Sequence, residues 1–250
     1  MKHERIYIYG RHAVLEALTH APKTIRKVFL APEVRDPDLL KAVRAAGLEV
    51  ARLGSEKKTR SVTGGEAHQG IVAVVALHAL MQEYDDFIGG LESGPDTVLV
   101  ILDELKDPHN VGAIIRSAAA LGAAGVLIPS RRQAPVTGTV IKVSAGMAFR
   151  VPLVETGNLN LTVRDLQKRG FRVFGFEADA KDSVWNEPFD GPSVLLMGSE
   201  GEGIRRRTGE LCDRLLTIPI HPRAESLNVA ASAAVALAAW SNRHPRALKR

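Results

Sequence analysis

The sequence is poor in the features that mark secreted and membrane proteins. Cys212 is the single cysteine, so no disulfide can form within the chain, and we expect a cytoplasmic protein. The unbroken apolar runs, such as residues 71–77, are far shorter than the roughly 20 residues that span a bilayer, which argues against a membrane-spanning helix. The first residues, Met1 to Ile6, lack the apolar core of a signal peptide.

Several catalytic signatures are also missing. The chain has no G-x-G-x-x-G after a predicted strand and no G-x-x-x-x-G-K-[ST], which excludes the usual dinucleotide and nucleoside triphosphate sites. It has no G-x-S-x-G nucleophile motif. It has neither H-E-x-x-H nor paired cysteines, so we expect no metal centre.

What the chain does have is length and positive charge. Its 250 residues suffice for one or two domains with a sizeable core, and 45% of them are hydrophobic. The formal net charge is +5, and most of the excess lies after residue 95, largely as arginine. A basic chain suggests a polyanionic partner such as nucleic acid, because arginine binds phosphates bidentately. Solvated surface charge is the alternative.

The order of apolar patterns divides the chain into three parts. Residues 1–78 alternate short helical and strand patterns, which predicts a small α/β domain. Residues 79–96 lose periodicity and are rich in glycine and acidic side chains, which is typical of a linker. Residues 97–250 alternate strands with helices again, which predicts a mostly parallel sheet covered on both faces. The alanine-rich pattern at 227–242 predicts a tightly packed helix, in the core or at a subunit contact.

The first segment with a chemical signature follows the predicted strand at 97–103. A polar turn leads into a helix for which Asn110 is a candidate N-cap. Arg116 lies six residues later, and we expect it on roughly the same helix face as Asn110. A cation two turns into an otherwise apolar helix suggests a function, and a salt-bridged surface arginine is the alternative.

The second segment is the glycine-rich loop that follows the predicted strand at 193–197. It contains Gly198, Glu200 and Gly203, and its glycines allow a ligand to approach the backbone closely. It stands at the carboxyl end of a predicted parallel strand, where α/β sheets bind ligands. A glycine-rich connector without a ligand is the alternative.

The third segment runs from Ile218 through a proline-stiffened loop into the alanine-rich helix. Ser226 is a candidate cap for this helix, and for Ser226 alone a capping role is the better interpretation. Asn228 is expected in the first helical turn, where its amide could face a ligand. The case for a functional site comes from the three segments together.

The three segments together strongly resemble the motifs of the SpoU (TrmH) family of RNA ribose 2′-O-methyltransferases, within the SPOUT superfamily. The family patterns are N-x-G-x-x-x-R, a strand followed by G-x-E-x-x-G, and I-P-[MI]-x-x-x-x-x-S-L-N-V. Here they fall at residues 110–116, 198–203 and 218–229, in the family's order and spacing. The sequences Y-G-R-H-A-V at 9–14 and E-A-H-Q-G-I at 66–71 are similar to the L30e-like RNA-binding domain of the branch that methylates a guanosine of 23S rRNA.

The resemblance implies a fold, a cofactor and partners. The implied fold is the SPOUT α/β-knot, a mostly parallel sheet with a trefoil knot near its carboxyl end, preceded by a small L30e-like α/β domain. S-adenosylmethionine is the implied cofactor. RNA, in the closest branch 23S rRNA, is the implied partner, and a homodimer through the knotted domain is the implied assembly.

The resemblance also assigns roles to residues. The implied catalytic residues are Asn110, Arg116, Glu200, Ser226 and Asn228. The implied cofactor contacts are Met197, Gly198, Gly203, Ile218, Leu227 and Ala230. The arginines that we expect to contact RNA are Arg11, Arg131, Arg132, Arg150 and Arg205, each with solvated surface charge as the alternative.

Two positions depart from the family pattern, and other functions stay open. Pro222 stands where the family commonly has glycine, and Phe149 stands where the guanosine branch usually has glutamate. A methyltransferase of the same family that acts on tRNA or another rRNA site is one alternative. A non-catalytic RNA-binding assembly factor is a second, which the complete motifs disfavour. A metabolic nucleotide-binding enzyme is a third, disfavoured because phosphate loops are missing.

Overall fold

The computed structural model describes residues 5–54, 68–199 and 203–249, which form two sheets with helices around them. The smaller sheet has four strands in the order β1-β4-β2-β3, and only β2 and β3 run parallel. Its strands are β1 (Arg5–Tyr9), β2 (Ile25–Leu30), β3 (Val50–Arg52) and β4 (Ile71–Ala76). Helix α1 (Arg11–His20) packs on β1 and β4, and α2 (Pro37–Ala45) packs on α1. These elements form the small α/β unit that the periodicity predicts.

The larger sheet has eight strands, and every pairing in it is parallel. Its strand order is β10-β12-β9-β11-β6-β7-β8-β5. The strands are β5 (Met81–Glu83), β6 (Val98–Leu102), β7 (Gly125–Pro129), β8 (Leu153–Thr156), β9 (Arg172–Phe176), β10 (Asp182–Ser183), β11 (Ser193–Met197) and β12 (Arg214–Thr217). The predicted parallel sheet is therefore confirmed.

Helices cover both faces of the larger sheet. They are α3 (Leu77–Leu80), α4 (Tyr84–Gly90), α5 (Pro108–Ala120), α6 (Gly138–Val143), α7 (Leu159–Lys168), α8 (Arg206–Gly209) and α9 (Val229–Arg243). Successive residues of β6 point to opposite faces of the sheet. Val100 packs in the hydrophobic cluster that contains α5 and α9, whereas Ile101 packs in the cluster that contains α4 and α7. No helix among the described residues is long and apolar enough to cross a membrane.

The alanine-rich helix α9 lies in the core. Ala233, Ala236 and Trp240 are completely buried, and the helix packs against α5 and β11. Small side chains let α9 approach α5 closely, which brings the third motif segment next to the first. Of the two locations that the sequence left open, the core and a subunit contact, the structure therefore shows the core.

Some elements differ from the sequence-based expectation. Residues 79–96, expected to be a linker, carry β5 and α4, and β5 pairs with β8 at the edge of the larger sheet. These elements are too short to show a period. Strands β1 and β8, of five and four residues, are likewise too short to show a clear period.

The last strand of the chain lies inside the sheet. β12 pairs with β9 on one side and with β10 on the other, although both of those strands precede it in the chain. This insertion is the order that a threaded carboxyl-terminal segment would produce. It also places the carboxyl ends of β9, β11 and β12 side by side.

Candidate functional site

A cleft of about 660 Å³ opens at the carboxyl ends of β9, β11 and β12. The residues after β9, the glycine-rich loop after β11 and the loop between β12 and α9 form its walls. Its lining includes Phe176, Glu177, Ala178, Asp179, Met197, Gly198, Ser199, Gly203, Ile204, Ile218, Ile220, Ser226, Leu227, Asn228, Val229 and Ser232. The second and third motif segments, which are far apart in the chain, therefore meet in one cavity.

The glycine-rich loop is closed at its base by backbone pairing. Ser199 and Gly203 exchange backbone hydrogen bonds of 2.9 and 3.0 Å. A Cβ atom at Gly198 would collide with the backbone of Gly203 and Ile204, so only glycine fits at this position. Gly203 has a φ of +67°, which favours glycine as well. Glu200, expected to be catalytic, lies outside the described residues.

The third segment differs from its predicted capping. Asn228 is the N-cap of α9, since its Oδ1 accepts hydrogen bonds from the backbone N–H groups of Ala230 and Ala231 at 2.9 and 3.3 Å. The predicted cap, Ser226, lies two residues before the observed one. It is exposed in the preceding loop and lines the cleft. Ala230 supports the cap through its backbone and is not among the cleft-lining residues.

The first and third segments are joined directly. Asn228 Nδ2 donates a hydrogen bond of 3.0 Å to Oδ1 of Asn110, which is only 7% exposed. Asn110 is therefore not the N-cap of α5. That role belongs to Asp107, whose carboxylate accepts from the His109 N–H at 2.8 Å, and the same hydrogen bonds lower the pKa of Asp107. Asn110 instead fixes the start of α9 against α5.

An ion-pair network joins the first segment to the second. Asp103, directly after β6, is buried and accepts hydrogen bonds from Arg205 Nη2 at 2.5 Å and from Arg205 Nε at 3.3 Å. Arg205 Nη1 lies 2.8 Å from Oε1 of Glu104, an ion pair without hydrogen-bond geometry. The hydrogen bond with Asp103 raises the pKa of Arg205. Because Arg205 follows the glycine-rich loop, this network fixes the loop to the entrance of α5.

Arg116 stands apart from the cleft. It is exposed on α5, is not among the cleft-lining residues, and makes no ion pair or hydrogen bond with any residue that the structure describes. Six residues at about 100° each place Arg116 about 120° around the helix from Asn110, so the expectation of a shared face was wrong. The guanidinium is left available to an anionic ligand.

Most of the arginines expected to contact RNA pair with carboxylates of the protein. Arg11 binds Asp36 at 2.5 Å, Arg132 lies 3.5 Å from Glu104, and Arg205 binds Asp103. Arg150 binds Glu16 at 2.6 Å. Arg131 is exposed and has no such partner among the described residues. Arg205 and Arg150 in particular have structural contacts that their sequence neighbours do not reveal.

The residues after β9 that line the cleft belong to none of the three motif segments. Glu177 and Asp179 bring two carboxylates to its wall, and neither pairs with a cation among the described residues. Their position at the carboxyl end of a parallel strand next to β11 was a usable signal. Within the described part of the chain, no group of three or more His, Cys, Asp or Glu side chains that could hold a metal ion occurs.

Two family models match this chain. The model of the SpoU rRNA Methylase family matches residues 97–238. The model described as RNA 2′-O ribose methyltransferase substrate binding matches residues 7–80. The first of these matches covers both the cleft and helix α5.

Curated relatives match nearly the whole chain. The 23S rRNA (guanosine-2′-O-)-methyltransferase RlmB of Ralstonia nicotianae is 39% identical over 233 residues, which cover 92% of each chain. The protein of the same name from Escherichia coli is 37% identical over 234 residues, covering 92% of this chain and 95% of that one.

Solved structures agree in fold. The SpoU methyltransferase AviRb from Streptomyces viridochromogenes, in complex with AdoMet, has a TM-score of 0.83 at 24% identity and covers 96% of this chain and 91% of its own. The AdoMet-bound rRNA methyltransferase from Sinorhizobium meliloti has a TM-score of 0.77 at 24% identity, covering 96% and 87%. At this identity the likeness shows the fold.

Proposed function

The chain belongs to the SpoU rRNA Methylase family, and from this premise we propose that it transfers a methyl group from S-adenosylmethionine to a ribose 2′-hydroxyl, that of a guanosine in 23S rRNA. The observation that carries the proposal is that the second and third motif segments line one cleft and that the first segment is bonded to both of them. Asn110 is hydrogen-bonded to Asn228, and Asp103 is paired with Arg205, so the first segment is attached to both others.

The cleft suits S-adenosylmethionine in size and chemistry. Its volume of about 660 Å³ lies within the roughly 300–1,000 Å³ that is typical of small-molecule sites. Ile218, Ile220 and Leu227 offer apolar surface for a purine ring. Glu177 and Asp179 offer negative charge to the ammonium and sulfonium cations. Gly198 lines the cleft, and its lack of a side chain lets the glycine-rich loop close against Gly203.

When bound, the cofactor would supply a methyl group on a sulfonium, from which a neutral thioether is a good leaving group. The remaining tasks of the protein are to align the ribose oxygen with this methyl group and to stabilise the oxygen as its proton passes to solvent water. The family resemblance gives these tasks to Arg116 and its neighbours in the motifs.

Arg116 has the chemistry to stabilise a developing alkoxide. A guanidinium remains protonated in proteins, so it stabilises negative charge rather than removing a proton. Since Arg116 is exposed and unpaired among the described residues, it can grip the ribose oxygen or the adjacent phosphate when RNA binds. We assign Ser226 and Glu200 to orienting the ribose or Arg116, and Asn110 with Asn228 to holding the site together.

RNA recognition is divided between two parts of the chain in this proposal. Residues 1–78 grip a structured RNA element, residues 79–96 connect the two parts and add β5 and α4 to the larger one, and residues 97–250 carry the catalytic unit. Only RNA offers the 2′-hydroxyl that the reaction requires. Arg131, exposed after β7, is the best candidate among the predicted arginines for a phosphate contact. A homodimer through the catalytic unit and a cytoplasmic location, as for enzymes acting on bacterial ribosomal RNA, complete the proposal.

The direct test is methyl transfer followed by nucleoside identification. Wild-type protein is incubated with methyl-labelled S-adenosylmethionine and a 23S rRNA transcript, and the RNA is digested to nucleosides. We expect the label in 2′-O-methylguanosine, and about a hundredfold or greater loss of rate in Arg116→Ala and Arg116→Lys. Label in another 2′-O-methylnucleoside would refute the guanosine target, and label in a base would refute ribose methylation. Cofactor binding without transfer to any RNA would favour a non-catalytic assembly factor.

A further inference from the structure

The segment between β7 and β8 packs closely against the small amino-terminal unit. Helix α6 begins at Gly138, where a Cβ atom would collide with the carbonyl oxygen of Tyr7 in β1. One turn later, the Lys142 ammonium lies over the Tyr9 ring, 5.3 Å from its centroid. Glycine at position 138 thus permits a close approach of α6 to β1, which any side chain at this position would prevent.

A second contact follows in the turn after α6. Gly146 has a φ of +78°, and a Cβ atom there would lie 2.7 Å from Cβ of Glu16 in α1. Phe149 is buried, and Arg150 donates from Nε and Nη2 to the two carboxylate oxygens of Glu16, at 2.6 and 2.9 Å. The bidentate pair therefore crosses from the larger unit to the smaller one.

The two contacts lie on a common apolar base. Ile6 and Ile8 of the small unit belong to the same cluster of buried residues as Val140 and Phe149 of the larger unit. These contacts comprise two close approaches at glycine, a bidentate ion pair and a shared core. Together they restrict both translation and rotation of the amino-terminal unit relative to the larger one. Such an interface differs from the loose packing that is usual between domains joined by a linker.

We propose that residues 138–150, which we call the docking segment, hold the amino-terminal unit at a fixed distance from the cofactor cleft and thereby select which ribose reaches it. This inference rests on the proposed function, because the selected group is a ribose of the RNA that the amino-terminal unit grips. Arg150 then acts as a positioning residue through Glu16 rather than as a phosphate contact. The docking segment thus sets the distance between the unit that binds RNA and the cleft where the methyl group is transferred.

The geometry can be measured with two spin labels, at Lys41→Cys on α2 and at Arg164→Cys on α7. Both positions are exposed, and burial raises the pKa of the native Cys212 thiol to about 12, so it reacts slowly with the label. The distance distribution is recorded in this background for Arg150→Glu, Glu16→Arg and the charge-swapped double variant. Arg169→Glu is the matched control, because Arg169 is 46% exposed against 44% for Arg150 and pairs with Asp165, four residues earlier, at the end of α7.

Activity is measured on the same variants with a 23S rRNA transcript, and S-adenosylmethionine affinity is measured by calorimetry. We expect either single variant to broaden the distance distribution and to lower kcat/KM for the transcript by roughly fivefold, with cofactor affinity unchanged. The charge swap should restore both readouts, and Arg169→Glu should change neither.

Three results would overturn the inference. One is a distance distribution that stays as narrow in Arg150→Glu as in Arg169→Glu. Another is a broadened distribution with unchanged kcat/KM, which would show that the docking contact exists but does not select the ribose. A third is failure of the charge swap to restore either readout. A wild-type protein that methylates no RNA refutes the proposed function itself and is recognised separately, since the distance measurement needs no RNA.

Discussion

The ion pair between Asp103 and Arg205 gives a quantitative test of how the site is held together. Asp103 is completely buried at its side chain, whereas the Arg205 side chain is 38% exposed. Replacing Arg205 with glutamine leaves a buried carboxylate with its main partner removed, which typically costs about 3–5 kcal/mol. Because water reaches the Arg205 side of the pair, we expect a smaller cost than this range, about 2–3 kcal/mol. At roughly 2–4 °C per kcal/mol for a chain of this size, the melting temperature should fall by about 5–10 °C.

The assay is a double-mutant cycle in urea with Asp103→Asn, Arg205→Gln and the combined variant. Removing both charges should recover most of the loss, so the coupling free energy between the two sites should be at least about 1.5 kcal/mol. The same cycle on Asp165 and Arg169, an exposed pair on one helix, should give about 0.5 kcal/mol or less. Equal coupling in the two cycles would refute the claim that Arg205 anchors the glycine-rich loop.

Three further predictions concern single positions. Gly198→Ala should weaken S-adenosylmethionine binding about tenfold or more by calorimetry, because its Cβ meets backbone, whereas Gly191→Ala, which has open space, should not. Asn228→Ala should lower the free energy of unfolding, measured in urea, by about 2 kcal/mol. Asn228→Ser should lower it by about half as much, because serine can still cap α9 but cannot replace the amide hydrogen bond to Asn110. The hydrogen bonds from Arg150 hold the pKa of Glu16 below its ordinary 4.5, so docking should be complete above pH 4.5 and should be lost as the pH falls through the lowered value. The spin-label distance as a function of pH measures this, and a transition near neutral pH would contradict it.

Periodicity and motif order were sufficient to predict the parallel sheet and the meeting of the later segments. Strands such as β6 and β11 are almost entirely apolar, as strands buried on both faces must be. The glycines at 198 and 203 indicated a loop close to a ligand, and both line the cleft. These features depend on local sequence, which is why they could be read without a structure.

The features that could not be predicted depend on contacts between distant residues. Arg205 looks like a phosphate contact in sequence, and its partner Asp103 lies far upstream in the chain. Asn110 looks like an N-cap, but the bond to Asn228 requires the packing of α9 on α5. Strand β5 has three residues, and it becomes a strand only because the edge of β8 is available for pairing. In each case tertiary contacts decide between roles that local sequence leaves equal.

The most direct test of the central claim is amide hydrogen exchange with and without S-adenosylmethionine. We predict slower exchange in three separate stretches, residues 176–179, 197–199 together with 203–204, and 218–232, with no comparable change in the amino-terminal unit. Protection elsewhere in the fold, or no protection at saturating cofactor, would contradict the convergence of these stretches on a single cofactor site.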